Sequence, residues 1–554
     1  MTRQIPQNIS DVSFDLIVVG AGINGCGIAR DAAMRGLRVL LLDKSDVAAG
    51  TTAWSTRLIH GGLRYLEHGE FGLVRESLRE REALLRRVAP HLVRPLRLLF
   101  PLYAHGRRGA LTVRTGMLAY DLLSHGKSLP RHRFLTPDEA LRLAPGLDAR
   151  GLKGAAHFYD AQVEFAERLA FENALSAREN GATVLTYARV ERLLIEGGAV
   201  RGVEFKDVFG GTTHAAHVRT YAAHAPVVIN VAGPWVDEVL DGAARAGERL
   251  IGGTKGSHIV VRAFAGAPRA ALYVEAFEDG RPFFIIPWDN KFLIGTTDER
   301  YAGDLDRVEA DEREIEYLLR ETNRAIPQAR LTRERVLYTY SGVRPLPFVG
   351  VREEAAVTRR HFVRPARVRG LFSIVGGKLT TYRSLAEEAV DLVFKQLGKS
   401  PPPCATARTP LPGARVADFV AFAEAFKIQS TLPPRSNERL LKVYGVRAAD
   451  VLRLAQSDRE LQETISEETA SIAAEVVFAF QSEMAETLVD CLMRRTMTGL
   501  NGENGLDAVE ASARVAQKFL GWTDERAAFE VENYKSYVGR FNPKQYRERK
   551  PRGF

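Results

Sequence analysis

Apolar residues in this chain alternate between short unbroken runs and helical spacing, and the changes of period fall at glycines. Residues 16–19 are four apolar residues in a row, Gly20-Ala-Gly-Ile-Asn-Gly25 interrupts them, and 23–35 then carries its apolar residues at helical spacing. Gly36 closes that segment and 37–42 is a second apolar run, so residues 14–43 predict strand, glycine turn, helix, strand. Helices are predicted at 71–88 and 165–180, a hairpin at 184–205 and a buried strand at 227–231. Residues 257–262, 283–287 and 291–295 read as strands of a mixed sheet. A strand at 371–375 leads through Gly376-Gly377 into a helix over 381–397. Past residue 400 the pattern changes. Prolines and glycines predict a stiff linker over 401–413, and amphipathic segments at 414–426, 470–481, 485–497 and 508–520 predict an all-α domain over 414–554.

Length and composition narrow the class. A chain of 554 residues is too long for one core, and 45% hydrophobic with 26% charged residues suits a soluble multi-domain protein. Cys26, Cys404 and Cys491 are odd in number and far apart, which argues against a disulfide framework and fits a reducing cytosol. No leader pattern is read at the start, and no stretch reaches the ~20 apolar residues of a spanning helix. A chain that does not cross a membrane is expected. His214, His217 and His224 sit in hairpin-like alternation without carboxylates or thiols, so they read as structural and no metal site is expected.

Charge adds a surface. The net charge of +9 is uneven: residues 83–120 hold seven arginines and no acidic residue, and 534–554 hold seven basic residues against Glu548. An anionic partner surface is the expectation for the first stretch, where Leu96, Leu98, Leu99, Phe100, Leu102 and Tyr103 lie among the arginines. For the tail, a solvated basic face serves equally well.

Three glycine segments carry the chemistry. Gly20-x-Gly22-x-x-Gly25, after a strand and opening a helix, is a dinucleotide-binding fingerprint. Gly20 permits the turn, Gly22 lets the backbone approach a pyrophosphate, Gly25 lets helix and strand pack closely, and the helix N-terminus favours phosphate. Asp43, 18 residues beyond Gly25, suits a ribose hydroxyl. This motif leaves FAD and NAD unseparated. Thr51-Thr-Ala-Trp-Ser55 and Ile59-His-Gly-Gly-Leu-Arg-Tyr65 stand where a nicotinamide dehydrogenase continues with a third strand, and their density of polar groups suits a larger cofactor. The free amides of Gly376-Gly377-Lys378 suit the pyrimidine edge of a flavin, where negative charge collects on reduction. Arg344 and His258 add a phosphate-recognising cation and a base, although singly such residues are more often a strand-end ion pair and a core histidine.

Together these stretches resemble the FAD-dependent, membrane-associated glycerol-3-phosphate dehydrogenases. The likeness rests on residues 15–43, Leu58-Ile-His-Gly-Gly-Leu-Arg-Tyr-Leu-Glu67, Gly233-Pro-Trp235, Lys255-Gly-Ser-His258, Ile294-Gly-Thr-Thr-Asp298, 339–345 and 376–383, with Met484-Ala-Glu-Thr-Leu-Val-Asp490 and Arg494-Arg-Thr496 in the helical end. With the patterning above it implies an α/β fold: a Rossmann-like FAD-binding domain with an interleaved mixed-sheet substrate domain, then the all-α domain. The body would span 1–400, with FAD-binding parts near 12–90, 150–250 and 340–400 and substrate parts near 91–149 and 251–339.

The resemblance also implies an activity: oxidation of sn-glycerol 3-phosphate to dihydroxyacetone phosphate, hydride transfer to FAD, and electrons passed to quinone. It assigns Arg64, Tyr65, Arg344 and Lys378 to the substrate, with Arg359 as a further phosphate contact and His258 as base, His60 being the alternative. Its FAD contacts are Gly20, Gly22, Asn24, Gly25, Asp43, Thr51, Thr52, Ser55, Leu58, His60, Gly61, Gly62, Gly233, Gly376, Gly377, Lys378, Leu379 and Thr380. Asp43 stands where relatives often carry Glu, and Trp54 and Thr56 stand in a loop that is usually small and serine-rich. Glu164-Phe-Ala-Glu167, which differs from the family's acidic pair, is given no catalytic role. The basic stretch 94–114 would lie in the bilayer interface, making the protein peripheral to the inner face of the cytoplasmic membrane. A homodimer is compatible with the sequence, and nucleic acid is not an expected partner. An oxidase that makes peroxide and a non-catalytic flavin scaffold are the competing readings, and the intact charged residues argue against the scaffold.

Overall fold

The structure, a computed structural model, describes residues 5–541 other than 7, 105, 107, 125, 210–218, 241–248 and 349–359. Strand β1 (Leu16–Val19), helix α1 (Ile23–Met34) and strand β2 (Val39–Leu42) form the unit read from the glycines. Gly20 takes φ +114°, and a Cβ at Gly25 would stand 1.8 Å from the Gly20 carbonyl oxygen, so the helix meets the strand only because both are glycine. β1 pairs in parallel with β2 on one side and with Val228–Asn230 on the other. Leu371–Val375 and Thr183–Leu185 extend the parallel sheet, and Phe362–Pro365 closes one edge antiparallel. All four residues of β1 and of β2 are buried, as expected of parallel strands covered on both faces. One cover is α1 between the helices Ala166–Glu179 and Tyr382–Gln396. The other is a three-stranded sheet, Ala188–Glu196, Ala199–Asp207 and Thr220–His224, which confirms the predicted hairpin and adds a strand. Of the three clustered histidines, His224 lies exposed on that last strand, and His214 and His217 fall outside the described residues.

The second sheet has a ten-strand core organisation. Its long strands are β3 (Val93–Tyr103), β4 (Leu152–Val163), β5 (Thr254–Arg262), β6 (Lys291–Gly295) and β7 (Val336–Arg344). β5 lies between β6 and β7, both antiparallel to it. The sheet also takes Leu58–Ile59, β4 and β7, so it draws on chain outside 91–149 and 251–339.

β3 corrects the expectation that 94–114 lies in a bilayer interface. It runs antiparallel to β4 and parallel to Ala271–Glu275, in the interior of the sheet. Leu98 and Phe100 enter one core and Leu99 the other, while Arg94 and Arg97 face solvent. The apolar residues are there because strand alternation buries both faces. Exposed apolar residues appear instead on the next helix, Ala110–Leu123, where Leu111, Leu118 and Leu122 are 78%, 63% and 77% exposed. No helix among the described residues is long and apolar enough to cross a membrane.

The stiff linker expected over 401–413 begins exposed at 401–403 and ends buried at 411–413, held against the body. Leu411 is buried and donates its N–H to Val88 O at 2.8 Å, and Gly413 N–H reaches Glu172 Oε2 at 2.9 Å. The helical domain follows, with one small hairpin, Thr464–Ser466 with Ser471–Ile472. Its first helix, Phe419–Gln429, starts later than apolar spacing predicts, because Asp418 caps it by accepting from Val420 and Ala421. The segment expected as a helix at 485–497 is a short helix, Leu488–Asp490, widening into a π-type turn, Cys491–Arg495.

Buried ion pairs join these parts. Arg57, fully buried, meets Glu167 through two bonds of 2.7 Å and lies over the Trp288 ring at 4.7 Å. Arg168 meets Glu483 of the helical domain at 2.6 Å. Removing one partner leaves an uncompensated buried charge. Glu167→Ala should therefore cost about 3–5 kcal/mol, read as a lower urea midpoint. An unchanged midpoint would show that Arg57 is neutralised elsewhere.

Candidate active site

A cavity of about 890 Å³ opens where the two sheets meet, and the glycine segments line it. At one end are Gly20, Gly22, Asn24 and Asp43. Asp43 accepts the Ala21 N–H at 2.6 Å and the Ser45 N–H at 2.8 Å, and burial pushes its carboxyl up to about 6. Thr52 accepts the Ile23 N–H at 3.0 Å, fixing the predicted hydroxyl loop against the start of α1. Gly22 lies so close that a Cβ there would be 3.3 Å from that hydroxyl. Asn24 Oδ1 is buried with no partner among the described residues. A Cβ at Gly377, which takes φ +105°, would stand 2.6 Å from Asn24 Nδ2, so the third glycine segment closes directly on the first. Thr51, Thr52, Ser55, Leu58, His60, Gly233, Gly376, Gly377, Lys378, Leu379 and Thr380 also line the cavity. An elongated cradle of backbone, with an unpartnered amide oxygen and a ribose-type carboxylate, fits FAD.

The other end holds the charged residues. His258 on β5 and Arg344 on β7 both line the cavity. Arg344 donates to Asp298 Oδ1 at 2.8 Å and to Thr296 Oγ1 at 3.0 Å. A Cβ at Gly256 would be 2.2 Å from Arg344 Nη2, and one at Gly295 would be 2.4 Å from His258 Cδ2, so two glycines make room for these side chains. His258 Nε2 lies 3.0 Å from Thr56 Oγ1, and its ring rests against Tyr340. Burial, with Arg344 and Arg57 nearby, drives the His258 pKa well below 6.5, so the imidazole is neutral. His60 is also driven down, to about 4, chiefly by burial. Lys378 Nζ stands 3.7 Å over the Tyr65 ring, and Tyr65 lines the cavity too.

Several expected residues stand apart from the cavity wall. Gly25 packs α1 on β1, as its steric role requires. Gly61 donates its N–H to the Tyr120 hydroxyl at 2.9 Å, a Cβ at Gly62 would strike the Tyr65 ring, and neither glycine lines the cavity. Arg64 is half-buried on the Leu63–His68 turn and is not a lining residue either. Arg359 falls outside the described residues. Sequence reasoning missed Asp298, Thr296 and Trp54 as parts of this wall or its supports. Asp298 had a signal, since it ends the Ile294-Gly-Thr-Thr-Asp298 stretch that runs on from a predicted strand. It also missed the helical domain, which contributes Thr487, Val489, Arg494, Asn533, Tyr537 and Phe541.

Comparison with known proteins agrees with this geometry. Residues 15–383 match a family model described as FAD dependent oxidoreductase, and 404–527 match one described as the C-terminal domain of alpha-glycerophosphate oxidase. The chain is similar to a glycerol-3-phosphate dehydrogenase of Synechocystis, 48% identical over 97% of this chain and 98% of that protein. It is also similar to a D-erythritol 1-phosphate dehydrogenase of Brucella abortus, 40% identical over 87% of this chain and 94% of that protein. Among solved structures, the glycerol-3-phosphate dehydrogenase from Bacillus halodurans complexed with FAD superposes with a TM-score of 0.77 at 28% identity, covering 96% of each chain.

The raised pKa of Asp43 has a measurable consequence. A ribose hydroxyl bonds more strongly to a carboxylate than to the neutral acid, so if Asp43 holds the ribose, FAD affinity of the cofactor-free protein should fall as pH drops through about 6. The slope is at most about tenfold per pH unit for one proton. Flavin fluorescence titrations at several pH values would read it, and Asp43→Asn should flatten the profile. A slope that persists in that variant would assign the proton to another group.

Proposed function

The chain belongs to the FAD-dependent oxidoreductases, and from that membership we infer that it oxidises sn-glycerol 3-phosphate to dihydroxyacetone phosphate, with FAD as cofactor and a membrane quinone as acceptor. The observation that carries this reading is a neutral, buried His258 beside Arg344 in the same cavity as the dinucleotide loop and Lys378. When bound, FAD supplies a two-electron acceptor for the hydride from C2. Gly20 and Gly22 would hold its pyrophosphate, Asp43 its ribose, and Gly376, Gly377 and Thr380 its reducible ring.

The chain's own groups handle the substrate. Arg344 and Lys378 bind the phosphate, the arginine through directional charge-assisted bonds and the lysine as a point charge steadied by Tyr65. Asp298 and Thr296 hold the Arg344 fork from behind. His258 receives the C2 hydroxyl proton at Nε2, the nitrogen next to Thr56, which itself lines the cavity. His60 is the weaker choice of base, since its backbone N–H is held by Thr380 Oγ1 at 3.1 Å in the segment given to the flavin ring. Trp54 and Tyr340 narrow the wall around His258 and help to exclude water.

The quinone reading draws on the surface beside the site. The helix Ala110–Leu123 exposes Leu111, Leu118 and Leu122 to solvent, and Arg114, also exposed, lies among them. Its neighbour, the helix Phe71–Ala83, opens with the exposed Phe71. The helix Ala110–Leu123 also carries Tyr120, whose hydroxyl accepts the Gly61 N–H, so its apolar face lies directly behind the second glycine segment. An apolar face with a cation suits shallow insertion into an anionic leaflet. In this reading the protein lies on the cytoplasmic face of the membrane.

Vesicles of anionic lipid loaded with quinone test the proposal. The FAD-loaded protein with glycerol phosphate should reduce the quinone and release little peroxide. Leu118→Glu combined with Leu122→Glu should abolish that reaction while sparing reduction of a soluble dye. Peroxide as the main product would make the protein an oxidase, and full quinone reduction by the double variant would place the membrane face elsewhere.

A further inference from the structure

The helical domain meets the cavity at its nucleotide end through a buried group of four charges. Asp46 lies three residues beyond Asp43, in the loop after β2, and is fully buried. It accepts from Arg494 Nε at 2.6 Å and from Arg495 Nη1 and Nη2 at 2.9 and 2.7 Å. Arg494 Nη2 also reaches Asp490 Oδ1 at 2.5 Å, and that same oxygen accepts the Tyr187 hydroxyl at 2.6 Å. Two carboxylates thus face two guanidiniums, all four buried. Asp46 and Tyr187 come from the nucleotide body, whereas Asp490, Arg494 and Arg495 come from the helical domain.

These groups differ in their access to the cavity. Asp46, Tyr187, Thr487, Val489 and Arg494 line it, whereas Arg495 and Asp490 do not. Arg495 already meets both oxygens of Asp46, which accounts for the carboxylate without Arg494. Arg494 uses Nε and Nη2 on the two aspartates, and no described residue accepts from its Nη1. The wall around it is that of the nucleotide end: Ala188 donates its N–H to Asp43 O at 2.7 Å, and Tyr187 donates to Ser45 O at 3.0 Å. A guanidinium held by two carboxylates at a cavity wall, with a donor to spare, is arranged to meet an acceptor-rich ligand.

We propose that the helical C-terminal domain is part of the FAD site: Arg494, fixed by Asp46 and Asp490, binds the adenosine diphosphate half, so that the cofactor is gripped between two domains. Cofactor binding and docking of the helical domain are then coupled, because the side chain that contacts the nucleotide also forms the interdomain ion pairs. This gives the domain a role in holding the cofactor, distinct from the chemistry at His258. The inference rests on the adenosine half lying at Asp43.

The test uses the full-length chain freed of FAD, with ADP and riboflavin 5′-phosphate as probes of the two halves of the cofactor. In the unmodified chain, ADP should slow amide hydrogen exchange over residues 486–495, and riboflavin 5′-phosphate should leave it unchanged. Arg494→Gln should weaken FAD and ADP to a similar extent, roughly tenfold or more. Arg494→Lys, which keeps a cation between the aspartates, serves if the first variant does not fold, and should also weaken both ligands. Asp43→Ala separates the two readings. If it leaves ADP binding intact, the adenosine half lies elsewhere and the underlying placement is wrong. If it weakens ADP while folded Arg494 variants bind ADP as the unmodified chain does, the placement stands and the proposal for Arg494 is overturned. Absence of ADP protection over 486–495 would overturn it independently.

Discussion

A guanidinium cannot be left bare in a protein interior, and the assembly of this chain follows from how it meets that constraint. Arg57 faces Glu167, Arg81 faces Asp160, Arg168 faces Glu483, Arg383 faces Glu80 and Arg495 faces Asp46, each pair buried. Such pairs add little net stability, because desolvation cancels most of the attraction, yet each is costly to separate. They therefore act on geometry. Arg57 ties the loop before Leu58 to the helix Ala166–Glu179, and Arg168 and Asp46 tie the body to the helical domain. Arg344 differs from this set. It is partly open to the cavity while Asp298 holds one side of it, which is the condition of a cation that can accept an anionic ligand.

The cavity is also shaped by what is missing. Gly25 brings α1 onto β1, Gly377 brings the second flavin segment onto Asn24, and Gly256 and Gly295 clear space for Arg344 and His258. Each removes a methyl group where another backbone or side chain must pass. A neutral imidazole and a cation lie side by side in the resulting space, and the same low dielectric that favours the neutral imidazole strengthens the attraction of Arg344 for a phosphate. In the proposed reaction, one environment serves both proton removal and substrate binding.

Much of this was legible in the sequence where the signal was local. The β1–α1–β2 unit, the strands at 291–295 and 371–375 and the helical character beyond residue 413 appear where glycines, prolines and apolar spacing announce them. Arg344, His258 and Lys378 were read from their local sequence, the family resemblance gave them roles toward the substrate, and all three line one cavity. The failures were failures of distance or of face. Asp46 and Arg495 are 449 residues apart, so no local pattern could reveal that the helical domain reaches the nucleotide end. β3 was misread because a strand buried on both faces, with arginines at its exposed start, has the composition of an interfacial segment. Arg64 and Tyr65 share the turn that begins at Leu63, yet only Tyr65 lines the wall, a difference of side-chain direction that sequence order does not carry.

Everything above converges on a cavity that passes a hydride from a phosphorylated alcohol to FAD. Anaerobic mixing of the FAD-loaded protein with glycerol 3-phosphate, without any acceptor, tests it most directly through the visible flavin absorption. Glycerol 3-phosphate should bleach that band, and glycerol at the same concentration should not. An unbleached flavin with glycerol 3-phosphate, or equal bleaching by glycerol, would contradict it.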